Sequence, residues 1–258
     1  MTQCNKSKAQ NKTEYSGFKS NNLLSINADA KTSKGEKIGY LTGILYLAPY
    51  KTIPLFNTCA MAEIADCGNA CLYTAGRGKY NNVQKGRINK TNWFYADKNG
   101  FMLRLVKNIK SLVKKANKTG LIPLIRLNGT SDIKWENVGF EYKGKQYNNI
   151  MEVFPDVQFY DYTKIVNRDN IPVNYDLTFS YSGKPVFKRY IEKAINKGMR
   201  LAVVFRDKKK IPAEYMGLPV INGDNSDVRH IDPQGVIIAL YAKGQAKKDY
   251  SGFVVDVE

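Results

Sequence analysis

The sequence predicts an α/β fold: a single (β/α) barrel-like domain, an irregular or incomplete relative of the eight-fold TIM-type barrel. Three observations predict it. Strand-length runs of near-continuous apolar residues recur along the chain, as strands buried on both faces require. Amphipathic helices or long loops separate them, which favours parallel pairing. The length of 258 residues suits one such domain, and a hydrophobic fraction of 43% can fill its core.

Taken in order, residues 1–22 (MTQCNKSKAQNKTEYSGFKSNN) are polar and basic and read as a flexible arm, leaving 23–258 for the folded domain. The arm has no apolar segment of the secretory or anchoring kind, and no run approaches the ~18 apolar residues that a membrane span needs. Four cysteines are too few for a disulfide scaffold and point to a reducing compartment, so a cytoplasmic protein without membrane contact is expected.

Residues 38–47 (IGYLTGILYL) form the first predicted strand, ending at Ala48-Pro49. The loop after it, Asn57 to Arg77, carries Cys59, Cys67 and Cys71 as C-x7-C-x3-C. A long helix follows over 99–120. Phe101, Leu105, Ile109, Leu112 and Ala116 recur every three or four residues, and Gly120 stops it. Its other side holds Arg104, Lys107, Lys110, Lys114, Lys115 and Lys118 without an acid, either a phosphate-tracking face or a solvated one. Further buried runs lie at 121–128, 157–163 and 174–182. An amphipathic helix spans 186–195 and stops at Gly198. Runs at 199–206, 218–222 and 235–242 complete about seven strands.

Parallel α/β folds place their sites beyond the carboxyl ends of the strands. The three cysteines follow the first strand. Arg126, Asn128 and Asp132 close the second, Asp161, Tyr162 and Lys164 the third, and Asp224, Asp227, Arg229, His230 and Asp232 the sixth. A ring of charge at one end of an apolar core is expected. Asp132, Asp224, Asp227 and Asp232 are the candidate acid/base or Mg²⁺-holding groups. Arg126, Asn128, Tyr162, Lys164 and Arg229 are the candidate phosphate- or substrate-binding groups. Cys59, Cys67 and Cys71 are candidate ligands for zinc or an iron–sulfur cluster, with a plain structural turn as the alternative.

Net charge is the outlier of the composition: 40 Lys and Arg against 23 Asp and Glu give +17. That field favours phosphate-rich partners, either nucleic acid or a nucleotide.

Several long strings together resemble one family. NTCAMAEIADCGNACLYTAGRG, RINKTNWFYADKNGFM, IRLNGTSDIKWE, FPDVQFYDYTK, NYDLTFSYS and GDNSDVRHIDPQGVIIALYAKG are similar to a bacteriophage and prophage family named after a mycobacteriophage protein, gene product 88. The likeness runs from about Leu41 to Val255. In that family the cysteine segment usually reads N-x-C-P-x-A-x-x-G-C-x-x-A-C-L. Here Ala60 and Met61 stand where Pro and its neighbour are common, and Asp66 replaces the Gly before the second cysteine. The resemblance implies a phage origin and a role inside an infected bacterium. A more distant similarity is to radical-SAM-type barrels, which also carry three cysteines after their first strand. The spacing departs from their C-x3-C-x2-C, and no Gly-Gly-Glu segment follows. The expectation is a phage enzyme acting on nucleic acid or a phosphate-bearing substrate at the strand ends. The alternatives are a non-enzymatic protein that binds nucleic acid or blocks a host or defence protein, and an iron–sulfur enzyme of the radical-SAM kind.

Overall fold

The computed structural model describes residues 17, 19–26, 30–68, 70, 71, 73 and 75–257, so most of the expected arm, with Cys4, lies outside the described residues. All seven anticipated runs are strands: β2 (Tyr40–Leu45), β3 (Ile122–Arg126), β6 (Gln158–Thr163), β7 (Tyr175–Ser180), β8 (Leu201–Phe205), β10 (Leu218–Asn222) and β11 (Ile237–Tyr241). They pair in parallel in the order β2-β3-β6-β7-β8-β11-β10. Two short antiparallel strands flank them, β1 (Leu24–Ile26) beside β2 and β9 (Glu214–Tyr215) beside β10. The expected mostly parallel α/β sheet is therefore present. It is open rather than closed, because the described strands end in β1 at one edge and β9 at the other with no pairing between them.

Strand order dictates where the connections lie. From β2 through β8 each parallel step advances in one direction, and right-handed crossovers then all fall on one face. That face carries α3 (Lys98–Thr119) and α4 (Lys188–Asn196). Phe101, Leu105, Ile109 and Leu112 of α3 pack with Leu41, Leu45, Ile125 and Phe159. Ile191 and Ala194 of α4 pack with Phe179, Leu201, Val203 and Ile237. Each fully buried side chain of this size contributes about 1.5–3 kcal/mol. The start of α3 is set by Asp97, whose carboxylate accepts from the Gly100 amide, and its end by Gly120 in a left-handed conformation (φ 67°). Gly43 lets α3 approach β2, since a Cβ there would lie 2.4 Å from Leu112 Cδ1.

The step from β10 to β11 runs backward, so a right-handed connection must cross the opposite face. Residues 223–236 do this without a helix. They travel from the carboxyl end of β10 to the amino end of β11, across the sheet face left bare by α3 and α4. Val228 packs there on Leu124, Tyr160 and Tyr40. The short helix α1 (Ala30–Glu36) sits beside this segment, with Lys34 donating to the Asp224 carbonyl at 2.8 Å. The remaining elements are α2 (Asn81–Ala96) and a hairpin of β4 (Phe140–Tyr142) and β5 (Lys145–Tyr147). No helix among the described residues is long and apolar enough to cross a membrane.

Gly223 is where the crossover turns back over β11, and a Cβ there would stand 2.5 Å from Ile238 Cγ2, 2.8 Å from Leu240 Cδ2 and 3.0 Å from the Ala239 carbonyl. Gly223→Ala is expected to lower unfolding stability by about 1–3 kcal/mol in urea titration. Unchanged stability would mean that the crossover does not lie against β11.

Candidate functional site

The backward crossover decides what becomes of the predicted ring of charge. Asp224, Asp227 and Asp232 are not gathered at one rim but strung along the open face from one end to the other. Asp224 stays at the carboxyl end, accepting from the Tyr241 amide at 3.2 Å and pairing with Lys243 at 3.1 Å. Asp227 reaches the middle, where Arg126 (2.9 Å), Tyr160 (2.9 Å) and Tyr162 (3.3 Å) all donate to it. Asp232 lies at the amino end, 3.0 Å from Arg229. Arg200, fully buried just before β8, donates there to the carbonyls of Arg229 and Asp232 and pairs with Asp176. His230 stacks edge-on against Tyr40 at 5.2 Å.

Each of these acids has its own cation, so the crossover reads as a row of neutralised pairs. Burial by itself would lower the Arg126 guanidinium, but Asp227 with Tyr160 and Tyr162 more than reverses this. Arg126 also lies 4.7 Å from the Tyr162 ring centroid. The three carboxylates do not converge on a shared Mg²⁺ position, and Asp132 belongs to a different group of residues altogether.

That second group forms at the carboxyl ends of β2, β3, β6 and β7, beneath the cysteine loop. Thr58 and Thr130 tie the loop to the strand ends by donating to the Ala48 and Leu47 carbonyls, each at 2.6 Å. Further along, the Ala65 carbonyl accepts from Ser182 (2.7 Å) and the Asp66 carbonyl from Ser251 (3.4 Å). Asp132 is held by Thr163 (2.8 Å) and the Lys164 amide (2.7 Å), yet burial still raises its carboxyl above the usual range. Lys164 is 9% exposed, and its ammonium donates to Ser180 Oγ and to the Ser180 and Tyr181 carbonyls, all at 3.1 Å. Burial lowers it, while Cys67, Asp132, Cys59 and Cys71 pull it back up.

The cysteine loop therefore lies where the spacing placed it, over the strand ends. Its thiols do not form a ligand set. Cys59 Sγ donates to the Thr130 carbonyl at 3.8 Å, Cys67 Sγ to the Ala62 carbonyl at 3.9 Å, and Cys71 Sγ accepts from the Tyr73 amide at 3.5 Å. Among the described residues no three His, Cys, Asp or Glu side chains stand together where one ion could be held. Burial raises all three thiols, Cys59 to about 12. In this arrangement burial favours the protonated form of each thiol.

Two residues matter here beyond the candidate site residues: Arg87, which sequence reasoning did not single out, and Asp161, which it placed at a strand end without a role. Arg87 of α2 is 7% exposed, and its guanidinium lies over the rings of Tyr46 (4.8 Å) and Tyr73 (5.4 Å). Its Nε and Nη1 are buried without a hydrogen-bond partner, and burial lowers it against the opposing pull of Tyr46, Cys71 and Tyr73. Nothing in its sequence neighbourhood, N-N-V-Q-K-G-R-I, marks it. Asp161 gave a signal, an acid inside the apolar run VQFYDYT. It is fully buried and accepts from the Leu127 and Asn128 amides and from Tyr175, so it braces the start of the 128–135 loop. Asn128 completes that brace by accepting from Ser131, Ile133 and Trp135.

The fold and site together define an open, mostly parallel α/β protein with a buried group of cations, thiols and one carboxyl at the carboxyl ends of its strands. The chain belongs to the gene product 88 family, whose family model matches residues 16–257, a longer stretch than the motifs alone delimited. No curated protein and no solved structure shows significant similarity, and no likeness to radical-SAM barrels is found.

Two measurements check the electrostatics. Near pH 8, iodoacetamide should alkylate Cys59 in the folded protein at least about tenfold more slowly than a free thiol of pKa about 8.5. Alkylation at the free rate would show an ionised or exposed sulfur. Burial also lifts the Asp161 carboxyl to about 7, despite its three donors. The folded state thus holds this proton more tightly than the unfolded chain, whose value is about 3.9. Its stabilising contribution is complete below that value and is lost as pH rises through about 7, so urea stability should fall across this window. A stability that rises across the window in wild type, and rises equally in Asp161→Asn, would contradict the assignment.

Proposed function

We propose that this protein binds a phosphate-bearing ligand, a nucleotide or a nucleic-acid terminus, in the cleft beneath the cysteine loop. One observation carries the reading. Arg87 and Lys164 are two cations more than nine-tenths buried, and neither forms an ion pair with a carboxylate among the described residues. Both lower the Cys71 pKa through their charge, which supports a shared neighbourhood around that thiol. An uncompensated buried charge costs several kcal/mol, and an anionic ligand seated between the two would offset that cost. Arg126, by contrast, is already neutralised by Asp227.

The enzymatic version of this reading rests on Asp132 and Lys164. They are neighbours through the Lys164 amide, one raised by burial and the other lowered. A carboxyl and an ammonium shifted toward each other form an acid/base pair able to move a proton at a bound phosphate ester. Arg87 would hold the ligand's charge, with Tyr46 and Tyr73 fixing the guanidinium plane.

Calorimetric titration with inorganic phosphate, pyrophosphate and nucleoside phosphates tests the proposal. Arg87→Met and Lys164→Met should each weaken binding at least about tenfold, the scale of a charge-assisted contact. Arg87→Met should leave unfolding stability unchanged or higher, because it removes an unpaired buried charge. Undiminished binding in both variants, or no binding of any of these ligands by the parent, overturns the reading.

A further inference from the structure

The helix α3 contains seven basic residues and no acid over Lys98–Thr119. Four of them, Lys107, Lys110, Lys114 and Lys118, recur at spacings of three and four, so they form one stripe, and all four are exposed. A stripe of one sign is ordinarily a solvated face, and on its own it says little about a partner. The second observation is what lies beside it.

The β4–β5 hairpin runs along α3, tied by the Glu141 amide donating to Asn99 Oδ1 at 2.8 Å. It carries two half-exposed tyrosines, Tyr142 and Tyr147, of which Tyr142 faces the lysine row. Lys110 donates to the Tyr142 hydroxyl at 2.6 Å, and this bond draws the phenol below its ordinary value. Lys143 stands 5.8 Å over the Tyr142 ring and Lys145 4.9 Å over Tyr147. Between helix and hairpin lies an open groove of about 360 Å³, with Leu103, Val106 and Tyr142 as its apolar lining and Lys107, Lys110 and Lys114 along it.

We propose that this groove is a binding site for single-stranded nucleic acid. Phosphates are matched by the lysine row, and unstacked bases by the aromatic and aliphatic floor. A duplex would offer the lysines its phosphates but keep its base faces stacked away from Tyr142. A membrane surface is disfavoured because the helix exposes one large apolar residue, Leu103, at 40%, rather than an apolar stripe that could enter acyl chains. The groove shares no named residue with the cleft around Arg87 and Lys164, so it stands independently of the function proposed above.

Fluorescence anisotropy with the full chain and a labelled oligothymidylate tests the site. Affinity should fall with added salt, with a log–log slope of about −0.7 for each phosphate neutralised. Reversing the row as Lys107→Glu, Lys110→Glu and Lys114→Glu should cost at least about tenfold in affinity and flatten the slope. Tyr142→Ala should cost about tenfold through lost stacking while leaving the slope unchanged. Lys209→Gln, which alters an exposed lysine outside the groove, should bind the oligonucleotide as the parent does. If the triple reversal melts differently from the parent by circular dichroism, the pair Lys107→Gln and Lys114→Gln, which alters exposed side chains alone, decides the point. The proposal fails if these lysine variants bind as the parent does, if duplex binds as tightly as single strand, or if anionic vesicles retain the protein while oligothymidylate does not.

Discussion

The right-handedness of parallel crossovers is the constraint on which the rest of this structure depends. Five strands laid down in one direction send α3 and α4 to one side of the sheet. One backward step, β10 to β11, then sends a helix-free segment across the other. No second helical layer covers that side, so its interior is filled by a polypeptide segment and the small helix α1. The polar character of the open face follows. A segment carrying three Asp and one Arg is buried only where its charges meet partners: Lys243 meets Asp224, Arg126, Tyr160 and Tyr162 meet Asp227, and Arg229 and Asp232 meet each other. The open face combines paired charge with small apolar clusters, Val228 with Leu124 and Tyr160 and Ile238 with Ala202 and Val236, whereas the helical face is held by apolar packing.

That division also separates two roles that look alike in the sequence. Acids on the crossover have a cation each, and their chemistry is largely committed to holding the fold. Beneath the cysteine loop, Arg87 and Lys164 are buried without an ion pair to a carboxylate among the described residues. The thiols sharpen this contrast, since burial keeps them protonated and therefore neutral beside Lys164.

Much of the fold was legible because buried parallel strands leave a local mark. Each of the seven apolar runs became a strand, and both anticipated helices appear within a residue or two, stopped at Gly120 and Gly198, which adopt positive φ. What escaped was structure without a periodic apolar face. The helix α2 carries its buried aromatics, Trp93 and Phe94, at one end, and the remainder is polar. Strands β1, β9 and the β4–β5 pair are two or three residues long. The site was legible in its parts and not in its assembly. Position after a strand correctly put Cys59, Asp132 and Lys164 at the carboxyl ends. The same rule misled for Asp227, Arg229 and Asp232, because a connection that reverses direction carries its residues away from the strand end it leaves. Local pattern does not record that reversal, since it is a property of strand order.

The anchoring of the cysteine loop carries a consequence for biosynthesis. Its early part is fastened to the segment after β3, Cys59 Sγ donating to the Thr130 carbonyl and the Asp132 amide to the Thr58 carbonyl, but its later part is held by Ser182 and Ser251, partners 117 and 185 positions further along. A ribosome making this chain releases the thiols long before it releases what covers them. During that interval Cys67 lacks the surroundings that raise its pKa, and it is open to oxidation or to capture by a passing ion. Ser182 and Ser251 can close the later part of the loop only after the chain has been made well past the sulfurs themselves.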